Sequence, residues 1–221
     1  MNTKKSKNFE RELPEGYEIV FHIDAKKKKT GIILNSVAFA ISFALGIAML
    51  SVYIVAFMNR ESSYFGILLG LLIGEIGTLV YLVVHELTHG AAYKILTGEK
   101  LSFGLNWSCA FCGVPNIYVY RKSLLIACLA PFVIYTAILS ASIGICFALL
   151  AFKVVESTFS LTVIYTALCT VFAMHVGGCS GDVFVGYLLL FKFKDKNVLA
   201  RDTGPEQIIY AVKKQTNEEK I

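Results

Sequence analysis

The chain has 221 residues, of which 56% are hydrophobic and 17% charged, whereas ordinary soluble domains are roughly 45–50% apolar. That excess excludes an ordinary soluble globule and describes an integral membrane protein. The net charge of +5 gathers at the two ends and in short breaks between apolar runs, so the expected basic contact is an anionic bilayer surface and not nucleic acid.

Residues 1–30 are polar and carry Lys4, Lys5, Lys7, Arg11 and the run Lys26-Lys27-Lys28-Lys29. They lack the short apolar core of a signal peptide, so targeting is expected to fall to the first span. Leu13-Pro14-Glu15-Gly16-Tyr17 reads as a turn and residues 18–23 as a short strand, with His22 in a charged, solvated setting. Residues 31–58 carry no charge; at about 1.5 Å per residue they exceed the ~30 Å hydrocarbon core and would span it with some tilt. Asn59-Arg60-Glu61-Ser62 is a polar break.

The second span starts near Ser63. Gly66, Gly70 and Gly74 recur at every fourth residue, the spacing that lets two membrane helices approach closely. Glu75 falls near mid-membrane, about three helical turns before Glu86 and on nearly the same face. It reads either as a protonated, hydrogen-bonded carboxyl or as part of a polar route for water or substrate. The span ends in Val83-Val84-His85-Glu86-Leu87-Thr88-His89-Gly90. Two histidines and a carboxylate are costly in an apolar helix and need a reason to be there. His85 and His89 stand one turn apart, the spacing for gripping one Zn2+ ion, and Glu86 lies beside them as a general base for water. Histidines satisfied by neighbouring helices are the bland alternative, which leaves Glu86 without a role.

From residue 101 to 120 the pattern changes. Leu101, Phe103, Leu105 and Trp107 alternate with small or polar residues, and Ile117-Tyr118-Val119-Tyr120 is β-prone, so a strand pair or re-entrant segment is expected. Leu101, Phe103 and Leu105 are candidates to position an unwound substrate by strand addition. Cys109 and Cys112 have metal-like spacing without a second pair and read as structural thiols. A third span covers residues 123–152, with a kink expected at Pro131. Lys153, Glu156 and Ser157 form a break. The fourth span begins at Phe159 and is interrupted by His175-Val176-Gly177-Gly178-Cys179-Ser180-Gly181-Asp182. Apolar residues resume to Phe191, and Lys192, Lys194, Lys196 and Arg201 lead into a polar tail.

The expected fold is therefore an all-α polytopic membrane protein with about four transmembrane helices and a short β-like or re-entrant segment between the second and third. Its parts are an N-terminal cytoplasmic segment (1–30), a membrane domain (31–193) and a cytoplasmic tail (194–221). The Lys/Arg distribution puts both ends in the cytoplasm, and the plasma membrane is the expected location.

A catalytic zinc takes three protein ligands and an open position. The path from Ser63 to His85 nearly equals that from Phe159 to Asp182 in a helix of the same direction, which brings Asp182 to the depth of the histidines. Asp182 is the favoured third ligand. His175 competes for that role or acts in the second shell, steadying the transition state or orienting Asp182. A helix cap is the structural alternative for Asp182.

Together, residues 13–17, His85-Glu86-Leu87-Thr88-His89-Gly90, Leu129-Ala130-Pro131, His175 and Gly181-Asp182 resemble the membrane zincin peptidases, a family distantly similar to site-2 intramembrane metalloproteases. The resemblance implies that His85, His89 and Asp182 bind zinc and that Glu86 is the base. The substrate would be a membrane-associated peptide or protein. In site-2 proteases an Asn-x-x-Pro element precedes an Asp-Gly pair; here Asp182 is followed by Val183, and glycines precede it. The rival expectation is a non-catalytic membrane metal-binding protein, or a pseudo-protease acting as a binding partner.

Overall fold

The computed structural model describes residues 8–57, 64–154, 158–194 and 197–213. Lys4, Lys5, Lys7, the 59–62 break, Glu156, Ser157 and Lys196 lie outside them. The chain is mostly helical (66%), and four of its helices are long and apolar enough to cross a membrane. In chain order the elements are β1 (Phe9–Glu10), β2 (Tyr17–Asp24), α1 (Lys28–Phe57), α2 (Tyr64–Thr97), β3 (Ser102–Leu105), β4 (Ala110–Gly113) and β5 (Tyr118–Tyr120). They are followed by α3 (Arg121–Ala151), α4 (Thr158–Gly178), α5 (Ser180–Tyr187), a π-helical turn (Leu188–Lys192), β6 (Val198–Asp202) and β7 (Glu206–Val212). Two compact units emerge, one of Ile32–Thr88 and Leu129–Val183, the other of Met1–Gly31, His89–Cys128 and Phe184–Ile221. The division passes through α2 between Thr88 and His89, and α2 itself is unbroken.

In the first of these units the glycine stripe does what its spacing predicts. A Cβ on Gly70 would lie 2.7 Å from Thr166 Cβ and from the carbonyl oxygen of Val163, and one on Gly74 would lie 2.5 Å from Thr170 Cβ. Gly66 faces Phe159 and Thr162. The partners ascend together, so α2 and α4 run parallel with their backbones in close contact. Where helices meet among lipid tails, such contact replaces the hydrophobic drive available in water. Tyr53 of α1 bonds Thr162 of α4 at 2.6 Å and packs on Phe57 and Tyr165.

The glycines before Asp182 depart from expectation. The stretch read as interrupting the fourth span barely does so, since only Cys179 separates α4 from α5. Two hydrogen bonds carry the turn across: Cys179 N–H to the His175 carbonyl and Val183 N–H to the Cys179 carbonyl, both 2.9 Å. Gly177 serves a different contact, because a Cβ there would meet Ser42 Oγ at 2.0 Å and the Ala38 carbonyl at 2.4 Å. It is small so that α1 can approach.

The other unit holds the largest difference from the all-α expectation, a five-stranded antiparallel sheet of order β1-β5-β6-β7-β2. β2 and β5 fall where strands were read. β6 and β7 occupy the segment read as a polar tail. Tyr17 pairs with Val212 and Asp24 with Glu206, so sequence-distant partners supply the hydrogen bonds that make each strand. His22 meets Glu206 at 2.8 Å. Residues Val198, Ala200, Ile209 and Ala211 pack with Tyr93, Val119, Leu189 and Phe193 in one core. Asp202 is buried within it and accepts bonds from the Tyr93 hydroxyl, the Gly204 amide and the Gln207 side chain. Arg121 donates to the carbonyls of Leu189, Phe193 and Lys194 at the end of the π-helical turn. The 101–120 segment does contain a strand pair, but its members are β3 and β4, whereas β5, read as β-prone in the sequence, pairs with β1 and β6; neither Cys109 nor Cys112 is in a disulfide.

Candidate metal centre

Helix α2 carries Tyr81, His85, Glu86 and His89. His85 and His89 are buried and Glu86 is half-buried. Four residues apart on one unbroken helix, the two histidines are neighbours on its surface. Parallel packing brings the end of α4 and the start of α5 alongside α2. His85 Nε2 lies 3.4 Å from Asp182 Oδ2, and Cys179 Sγ lies 3.4 Å from His175 Nδ1 and 4.0 Å from His85 Nδ1. His175 is fully buried. The ligand atoms of His85, His175 and Cys179 all fall within 4.8 Å of one another, a group that could hold a metal ion.

Ring orientation decides which nitrogen each histidine can offer. His89 Nδ1 donates to the Ala127 carbonyl at 2.8 Å, which puts the lone pair of the neutral ring on Nε2. That carbonyl is accessible for a reason written in the sequence. In α3 it would ordinarily accept the N–H of the fourth residue on, and that residue is Pro131, which has none. His85 Nδ1 faces the Tyr81 hydroxyl at 3.0 Å, so its Nε2 is the nitrogen turned to Asp182.

The donor chemistry fits zinc: neutral imidazole nitrogens and a carboxylate oxygen are its ordinary ligands. The spacing fits as well. Two donors each ~2.0–2.1 Å from a tetrahedral ion stand about 3.3 Å apart, and His85 and Asp182 are separated by 3.4 Å.

The remaining candidates are placed variously. Glu75 is exposed on α2, away from the buried histidines. Leu101 and Phe103 close over α2 at Gly90, where a Cβ would meet the Phe103 ring at 2.6 Å and Leu101 Cδ1 at 3.2 Å. Leu105 is 83% exposed, with no part in that contact. Tyr81 and Thr136 went unread in the sequence although both bond imidazoles. The legible signal for Tyr81 was a phenol four residues before His85, on the same face of an apolar helix.

Four apolar helices of membrane-crossing length, with possible histidine, cysteine and aspartate ligand groups among them, define an integral membrane protein equipped to bind a metal. Residues 78–198, more than half of the chain and including both histidines of the motif, match the family described as "Putative zincin peptidase". The chain belongs to that family. Zincins are zinc metallopeptidases, so membership implies a metal and peptidase chemistry. No curated protein and no solved structure matches the chain.

Proposed function

We propose that the protein is a zinc-dependent, membrane-embedded endopeptidase that cuts a peptide bond of a membrane-associated peptide or protein, with His85, His89 and Asp182 as ligands. The observation that carries this reading is the 3.4 Å approach of Asp182 Oδ2 to His85 Nε2, at the foot of an apolar helix that also bears Glu86 and His89. Zinc held there would acidify water and polarise the scissile carbonyl. Glu86 takes the proton from the attacking water and returns it to the leaving amine. Asp182 and the two imidazoles stay put through both steps, the histidines held by bonds at Nδ1.

A helical substrate must unwind before its carbonyl can be attacked. Strand β3, with one edge paired to β4 and with Leu101 and Phe103 packed on the residue after His89, is suited to take an extended chain by strand addition. The reading extends to kinship with site-2 intramembrane proteases and to a plasma-membrane location. Segments bearing β1 and β2, β5, and β6 and β7 share one sheet and so one side of the bilayer. The Lys and Arg residues of these segments support a cytoplasmic side for the sheet.

The test is Glu86→Gln in purified protein. Zinc content should equal the wild type, while cleavage of a membrane-anchored reporter falls by at least ~100-fold. His89→Ala and Asp182→Ala should lose the metal itself. A Glu86→Gln protein that keeps its biological function would make this a metal-binding partner and not a peptidase.

A further inference from the structure

The hydroxyl of Tyr81 is the most heavily engaged polar group beside the histidines. It lies 3.0 Å from His85 Nδ1 and 2.5 Å from His175 Nδ1, and the far nitrogen of His175 lies 3.0 Å from Thr136 Oγ1. Both imidazoles stand nearly edge-on to the Tyr81 ring, at 70° and 85°. The result is a continuous chain from α2 across α4 to α3, with fully buried His175 as its middle member.

A phenol hydroxyl has one hydrogen to give and can accept two, so between two imidazole nitrogens it donates to at most one. His85 Nε2 keeps a lone pair towards Asp182 only where His85 Nδ1 is the donor to Tyr81, and the short Tyr81–His175 contact then takes the phenol hydrogen. His85 then carries its hydrogen on Nδ1 and donates to Tyr81, Tyr81 donates to His175 Nδ1, and His175 carries its hydrogen on Nε2 and donates to Thr136. Every nitrogen away from Asp182 is satisfied. The opposite polarity puts the hydrogen of His85 on Nε2 and blocks it as a ligand.

We propose, on the zinc reading above, that Tyr81 is a positioning residue that fixes the tautomer and ring plane of His85 through the Tyr81–His175–Thr136 chain, and that His175 is a relay in this chain and not a ligand. The same geometry accounts for the group formed by His85, His175 and Cys179: the Tyr81 hydroxyl already sits between the two Nδ1 atoms, where an ion held by that group would have to be. His85 therefore faces the catalytic ligands with one nitrogen and the chain with the other. In this respect it resembles His89, whose Nδ1 is held by a carbonyl instead.

The experiment measures zinc affinity of detergent-purified full-length protein by competition with a chromogenic chelator, alongside thermal unfolding of the metal-free form. Tyr81→Phe keeps the ring and removes the hydroxyl, and should weaken zinc binding 10–100-fold with little change in metal-free unfolding. His175→Leu should weaken it to a similar degree, and carries the test alone if Tyr81→Phe does not fold. His175→Asn, which keeps an acceptor for Tyr81, should recover most of the loss. The Tyr81→Phe/His175→Leu double variant should be no weaker than the worse single one, because both cut one chain. Unchanged affinity in Tyr81→Phe, additive losses in the double variant, or extra metal bound when the hydroxyl is gone would each overturn the proposal. If wild type binds zinc and His85→Ala does not, such a result removes this chain alone. If wild type binds none, the zinc reading falls and takes this inference with it.

Discussion

Pro131 works at two removes from the candidate metal centre. By withholding an N–H it frees the Ala127 carbonyl, and that oxygen holds His89 by Nδ1. Stability and function should therefore pull in opposite directions there. Pro131→Ala restores a helix hydrogen bond and removes a residue ~3 kcal/mol unfavourable in helix interiors, so metal-free thermal stability should rise or hold. Zinc affinity should drop ~10-fold as the restored amide competes for the carbonyl. Parallel losses in both measurements would show that the proline serves packing only. In the sequence Pro131 read as a kink, which is the local half of the matter. Its partner on another helix left no trace in the linear pattern. His85, Glu86 and His89 stood out as candidates because their spacing along one helix is readable without any partner. Tyr81 and Thr136 did not, since a single hydroxyl in an apolar helix has many ordinary reasons to be there.

Among the elements, the pairing of α2 with α4 decides whether Asp182 and His85 meet at all. Equal path lengths along two helices gave the correct depth, and the glycine stripe supplied the close contact that converts equal depth into a 3.4 Å approach. Gly74→Ala puts a methyl 2.5 Å from Thr170 Cβ and 3.0 Å from the Ala167 carbonyl. Neither is the tip of a flexible side chain, so the helices must separate, at about 1–3 kcal/mol by the usual cost of overpacking. The expected outcome is a lower unfolding midpoint in mixed micelles, and weaker zinc binding although Gly74 lies about three turns from His85. The glycines near Cys179 were misjudged because a glycine shows only that something comes close. In this chain what comes close at Gly177 is α1.

At the scale of the molecule the sheet was the illegible part. Short runs such as Val198-Leu199-Ala200 and Ile208-Ile209-Tyr210 do not alternate, and they looked like a tail because their partners stand far off in sequence. Asp202 gives that unit a pH signature. Burial, outweighing the hydrogen bonds from Tyr93, Gly204 and Gln207 and the nearby His89, lifts its carboxyl from 3.8 to about 6. The folded form holds the proton more tightly than the unfolded one across that interval. This contribution to stability is complete below about 3.8 and is lost as pH rises through about 6, a change of ~3 kcal/mol at 1.36 kcal/mol per unit. Melting scans should show the midpoint falling from pH 4 to pH 7, and Asp202→Asn should flatten that slope. An unaltered slope in the variant would assign the effect to other groups.

The pairing of Tyr17 with Val212 also sets a timetable. On the ribosome, β2 emerges before any span has been made, and its partner is translated after all four. The nascent segment must remain unpaired while the helices insert, so this unit closes only after translation has passed β7.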